Sequence, residues 1–146
     1  MPTRSARTAW NGTLEQGAGQ VELSSSKVGT YDVSFPKRAA DEAGGTTSPE
    51  ELIAAAHSAC YAMQLSAFIA EAGGTPQSLD VKADVTLGPD SARGGFAISS
   101  IALTVRGEVE GLDAAGFEAA AQKAKEGCPV SKALTGTTIT LDAGLE

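Results

Sequence analysis

The residues with distinctive chemistry in this 146-residue chain are two cysteines, Cys60 and Cys128, and a single histidine, His57. A cysteine reacts as its thiolate, so a nearby cation or helix N-terminus is the feature to look for. Cys128 is followed by Pro129, a pair that suits the N-cap and first position of a helix. The amides and positive end of that helix would favour a thiolate. His57 precedes Cys60 by three residues, so on a helix the two share a face. The plainer alternative is that each cysteine is a small buried hydrophobe. The 68 residues between them (128 − 60) allow a disulfide only if folding brings the Cα atoms within roughly 7 Å.

His57 as a general base for Cys60 would make a cysteine hydrolase. A single helical turn seldom orients an imidazole for that task, and nothing local marks an orienting Asp or Asn. Glu50, His57, Gln64 and Glu71 are spaced by sevens and form one helical stripe. The stripe reads as a solvated or interface-facing edge. No C-x-x-C or H-x-x-x-H spacing occurs, so no metal site is expected. Two acids open the same segment. Glu51 falls three residues after Ser48 and completes a capping box, whereas Glu50 has no such duty and is free to bind something else.

The elements that must position these residues follow from the hydrophobic pattern. Arg4 to Leu14 alternates and breaks at Asn11-Gly12, and further alternating runs cover Gln20 to Leu23 and Thr30 to Phe35. A three-stranded antiparallel meander fits. Pro36 to Thr47 has no apolar residue larger than alanine and reads as a surface loop. Ser48-Pro49-Glu50-Glu51 begins a helix that runs to Gly73-Gly74. Between Leu52 and Ala72 it is so apolar that it must be covered on more than one side. A second copy of the chain is the economical cover. Strands are expected at Leu79 to Leu87 and Phe96 to Val109, joined as a hairpin. A helix capped by Asp113 ends at Gly127, a short helix spans Val130 to Leu134, and a last strand spans Thr137 to Asp142.

Composition narrows the function classes. Hydrophobic residues make up 42% and charged residues 20%, an ordinary globular balance expected to form one domain over 1–146. Eleven basic residues against eighteen acidic give a net charge of −7, which disfavours nucleic acid and anionic membrane as partners. No run approaching the ~20 apolar residues of a membrane span is apparent, and no apolar leader precedes Trp10, so a cytoplasmic location is expected.

The stretches TSPEELIAAAHSACYAMQLS (Thr47 to Ser66) and KAKEGCPVSKAL (Lys123 to Leu134), together with the order of elements, resemble the OsmC/Ohr family of peroxide-resistance proteins. AAAHSAC and Pro-Val-Ser after Cys128 resemble its OsmC branch. The resemblance implies an α+β, OsmC-like fold, with antiparallel sheets packed around a long central helix in an intertwined homodimer. It implies a thiol peroxidase that reduces organic hydroperoxides, and hydrogen peroxide less well, with no metal or organic cofactor. By the motif Cys60 is the peroxidatic thiol and Cys128 the resolving thiol. The family glutamate falls on Glu50, and the family arginine on Arg38. The returning electrons would come from a dithiol, which the family suggests is a lipoyl-bearing protein.

The chemistry agrees with those roles. A mid-helix thiol in apolar surroundings is hard to ionise. A guanidinium offsets that and also steadies charge on the departing oxygen. Glu50 would hold Arg38 through a bidentate pair. Apolar helix neighbours such as Tyr61, Met63 and Phe68 would shape a pocket for alkyl peroxides. Glu50 and Cys60 are ten residues apart, ~15 Å along a helix and about 80° around it. Either Arg38 bridges them or Glu50 reaches the partner's Cys60, which puts the active site across the dimer interface. The remaining alternatives are the Cys60–His57 hydrolase and a structural or binding dimer without chemistry.

Overall fold

A computed structural model describes residues 1–146, which form two compact units, 1–52 and 53–146. In the first, β1 (Arg7–Asn11), β2 (Ala18–Glu22) and β3 (Thr30–Val33) make the antiparallel meander anticipated from the alternating runs. The segment read as loop holds one helical turn, α1 (Phe35–Arg38). Ser34 caps it by accepting from the Lys37 amide at 3.4 Å, and Pro36 in the first turn needs no hydrogen-bond acceptor. The loop then returns to the sheet edge, where the Thr47 amide donates to Asp32 O at 3.0 Å.

Helix α2 (Pro49–Glu71) starts at the end of the first unit and supplies the central helix of the second. Ser48 Oγ accepts from the Glu51 amide at 3.2 Å, the first half of the capping box. The second half is replaced, because the Glu51 carboxylate accepts from Thr47 Oγ1 at 2.6 Å. The helix ends in a Schellman motif. Gly73 takes φ +89°, which a side chain resists, and the Gly74 amide donates to Ile69 O at 2.9 Å.

In the second unit β4 (Thr75–Pro89) and β5 (Phe96–Glu110) form the expected hairpin, longer than the alternation indicated. A register shift between Pro76 and Ser78 accommodates the proline at the strand's start. Next come α3 (Ala114–Gly127), α4 (Pro129–Ala133) and β6 (Thr138–Leu145). β6 pairs with β5 in parallel, so this sheet is mixed, and the two helices form the crossover that a parallel pair requires.

The core of the second unit lies between α2, α3 and β5. Tyr61, Leu65 and Ile69, at i, i+4 and i+8, meet Leu103 and Val105 and the Phe117, Ala120, Ala121 and Ala124 stripe of α3. Tyr61 donates its hydroxyl proton to Ala121 O at 2.9 Å, so the buried phenol is satisfied. Apart from Glu50 and His57, the other residues of α2 are half-buried or exposed within one chain, with Met63 72% exposed. By length and composition α2 could cross a bilayer, which corrects the expectation that no such run exists. One face of it is built into a protein core, as in central helices of globular folds.

Candidate active site

The sequence-predicted residues fall into two clusters, one in each unit. In the first unit, α1 ends at Arg38 and α2 begins near Glu50. The guanidinium grips the carboxylate at two nitrogens. Arg38 Nη2 donates to Glu50 Oε1 at 2.7 Å, and Nε donates to Oε1 and Oε2 at 3.1 and 3.2 Å. Glu50 is buried, and Arg38 remains about one-third exposed. Burial pushes the Glu50 carboxyl up, but the Arg38 hydrogen bonds, its own backbone amide, the Arg38 charge and Ser48 together outweigh it and hold it below the ordinary carboxylate value. Glu51 takes no part in this pair; in place of the reciprocal capping-box bond expected of it, its carboxylate accepts from Thr47 Oγ1.

Arg38 is the one charged side chain in the wall of a cavity of about 340 Å³ in the same unit. The remaining wall is mainly apolar, with Trp10, Leu14, Val21, Val33 and Phe35 prominent. That volume lies at the lower end of the range of about 300–1,000 Å³ for small-molecule sites.

In the second unit Cys60, from the third turn of α2, meets Cys128, at the junction of α3 and α4. The two sulfurs are hydrogen-bonded at 3.2 Å, and both thiols are free. Cys128 is fully buried, and Cys60 is half-buried. The Cys128 amide donates to Ala124 O at 2.9 Å, which closes α3. Its side chain makes no formed cap bond to α4. The amides of Ser131 and Val130 and the Ser131 hydroxyl nonetheless favour its thiolate. Together with Cys60 they overcome burial and bring the Cys128 thiol below its ordinary value.

Cys60 goes the other way. Burial pushes its thiol up, the neighbouring Cys128 adds to this, and the Val130 amide only partly offsets them. Within this unit Cys128 is therefore the readier anion, and Cys60 needs a cation.

His57 is fully buried, which corrects the solvated or interface-edge reading of the stripe. The stripe divides: Glu50 and His57 are buried, while Glu71 is exposed and bonds Lys123 at 2.7 Å. The His57 Nε2 and Ser131 Oγ atoms are 2.7 Å apart, and Nδ1 has no partner. Neither nitrogen serves Cys60 as a base, so the hydrolase arrangement is not formed. Burial lowers the His57 pKa and favours neutral imidazole.

Sequence reasoning missed Ser131. A signal was present: serine follows Cys128 by three residues as histidine precedes Cys60 by three, so each lies one turn from its sulfur.

A family profile described as OsmC-like protein matches residues 41–142. The chain is 46% identical over 137 residues to the protein named peroxiredoxin OsmC of Escherichia coli (strain K12), covering 94% of this chain and 92% of that one. It belongs to the OsmC family. A more distant OsmC/Ohr relative is the organic hydroperoxide resistance protein OhrA of Bacillus subtilis (strain 168), 35% identical over 127 residues, covering 85% of this chain and 84% of the relative. Among solved structures, an organic hydroperoxide resistance protein from Elizabethkingia anophelis superposes with a TM-score of 0.79 at 26% identity, covering 100% and 98% of the two chains. An organic hydroperoxide resistance protein OsmC from Legionella pneumophila gives 0.77 at 26% identity, covering 99% and 98%. The α+β OsmC fold is thereby shown for this chain.

Proposed function

We propose that this OsmC protein is a cysteine-based peroxidase that reduces organic hydroperoxides to alcohols, with residues 1–146 acting as one functional domain. The reading rests on one observation, the 3.2 Å separation of a half-exposed and a buried thiol. A closing of about 1 Å brings such sulfurs to the ~2.05 Å of a disulfide. The relatives' names, peroxiredoxin and organic hydroperoxide resistance protein, point the same way.

Cys60 thiolate attacks one peroxide oxygen, the O–O bond breaks, and the alkoxide leaves and takes up a proton. Cys60 is now a sulfenic acid. Cys128 sulfur attacks it, the S–S bond forms, the S–O bond breaks and water leaves. A dithiol carried on a lipoyl protein returns both thiols in the reducing cytoplasm.

Arg38 is the cation that Cys60 requires, and Glu50 fixes the direction of the guanidinium. The mainly apolar cavity beside Arg38 suits the alkyl group of the peroxide. We place the working enzyme as a homodimer, with the open face of α2 covered by a second copy and the catalytic set completed across the interface.

Mass spectrometry of peroxide-treated protein tests the assignment of the thiols. The wild type should carry a Cys60–Cys128 disulfide, and Cys128→Ser should carry Cys60 sulfinic or sulfonic acid. Unmodified Cys60 in both would overturn the peroxidase reading and leave a structural dimer.

A further inference from the structure

The mechanism above leaves one buried polar pair unused, His57 and Ser131. It joins the turn of α2 before Cys60 to the turn of α4 after Cys128. Both side chains are buried, and a 2.7 Å contact between them holds the two elements that carry the sulfurs. The tautomer follows from the unpartnered nitrogen. A proton on Nδ1 would be a buried N–H without an acceptor, which folded proteins avoid more strictly than an idle acceptor. Nε2–H therefore donates to Ser131 Oγ, and the serine's own proton is free for a third group. Cys128 is the N-cap of α4 and Ser131 its third residue, so the hydroxyl lies one helical turn from the Cys128 sulfur.

We propose that His57 and Ser131 are a positioning pair for the resolving step: the imidazole holds the Ser131 hydroxyl so that it donates to Cys128 Sγ while that sulfur attacks oxidised Cys60. This rests on Cys128 being the resolving thiol. As the S–S bond forms and the S–O bond breaks, hydroxide leaves Cys60 and becomes water by taking up a proton from solvent, which balances the one the Cys128 thiol released on ionising. The Ser131 hydroxyl keeps its proton throughout and serves only to hold the attacking sulfur as an anion in a dry site. The pair thus favours disulfide formation over a second attack by peroxide on Cys60.

The surroundings leave the Cys128 sulfur few other polar partners. From α2 it faces Cys60 and Tyr61, and the Tyr61 hydroxyl is already spent on Ala121 O. The α3 residues clustered with it, Phe117, Ala120, Ala121 and Ala124, are apolar, as are Leu103 and Val105 of β5. The charged residues of α4 and the end of α3, namely Lys132, Lys123, Glu126 and Lys125, are exposed or half-exposed.

The test is the ratio of Cys60 sulfinic acid to Cys60–Cys128 disulfide in the full-length protein after cumene hydroperoxide, read by mass spectrometry across pH. Loss of one hydrogen bond to a thiolate corresponds to a change on the order of tenfold. Ser131→Ala should raise the ratio by about that factor and move its pH profile to the alkaline side. Ser131→Thr, which keeps the hydroxyl, should restore the wild-type ratio. His57→Asn should raise it as well, and it carries the same test if Ser131→Ala does not fold. A wild-type ratio and profile in a folded Ser131→Ala or His57→Asn protein would overturn the proposal, even if its melting temperature fell, because that result marks a purely structural contact. Absence of any Cys60–Cys128 disulfide in the wild type would instead remove the peroxidase reading beneath it.

Discussion

Arg38 and His57 show how differently two polar side chains are used. Arg38 is committed to Glu50 through two nitrogens yet stays partly exposed at the cavity wall, as the role proposed for it requires. Replacing Arg38 by Met should slow the peroxide step by about 10²–10³-fold in single-turnover measurements, the usual cost of removing one oxyanion-stabilising donor. Glu50 has its pKa lowered in the folded state, so the stability from this pair is present above the ordinary carboxylate value of 4.5 and lost as pH falls through the folded value. Urea midpoints of the wild type and Glu50→Gln should therefore converge on acidification. His57 is also depressed, but as a base that must stay neutral. Its contribution is complete above its ordinary value of 6.5 and declines as pH falls below it. The urea midpoint of the wild type should drop as pH falls below 6.5, and His57→Asn should flatten that part of the curve. The roles proposed for Cys60, Cys128, Arg38 and Glu50 came from a motif. The environment of His57 did not, because seven-residue spacing tracks a helix only loosely. The buried stripe instead runs His57, Tyr61, Leu65, Ile69, and which face is buried depends on α3 and α4 packing against it.

Helix starts and stops carry their own chemistry and were legible at the scale of elements. Ser48, Pro49 and Gly73 set the ends of α2, and Asp113 opens α3, with its carboxylate accepting from the Gly116 amide at 2.8 Å. Removing the first cap through Ser48→Ala should cost about 1 kcal/mol in denaturant unfolding. Phe117, fully buried where α3 meets β5 and α2, should cost about 3–5 kcal/mol when truncated to Ala. The short α1 turn was not legible, since a four-residue helix leaves almost no periodicity and depends on Ser34 and Pro36 alone. Nor was the direction of β6. Its alternating pattern reads the same in either direction, and only the α3–α4 crossover makes it parallel to β5.

For the whole molecule, the telling feature is a 23-residue apolar helix with one face buried and Met63 bare on another side. That surplus of apolar surface is what a second copy would cover. Sedimentation should give twice the chain mass, and Met63→Glu should shift the equilibrium toward monomer with a matching loss of peroxidase turnover. A monomeric variant with full turnover would contradict a site completed across the interface. The acidic charge of −7 fits a small uncharged substrate better than nucleic acid. The most direct test of the central claim is consumption of cumene hydroperoxide with a dithiol as reductant, comparing the wild type with Cys60→Ser. The account predicts steady turnover in the first and none in the second. Equal consumption by both proteins would contradict it.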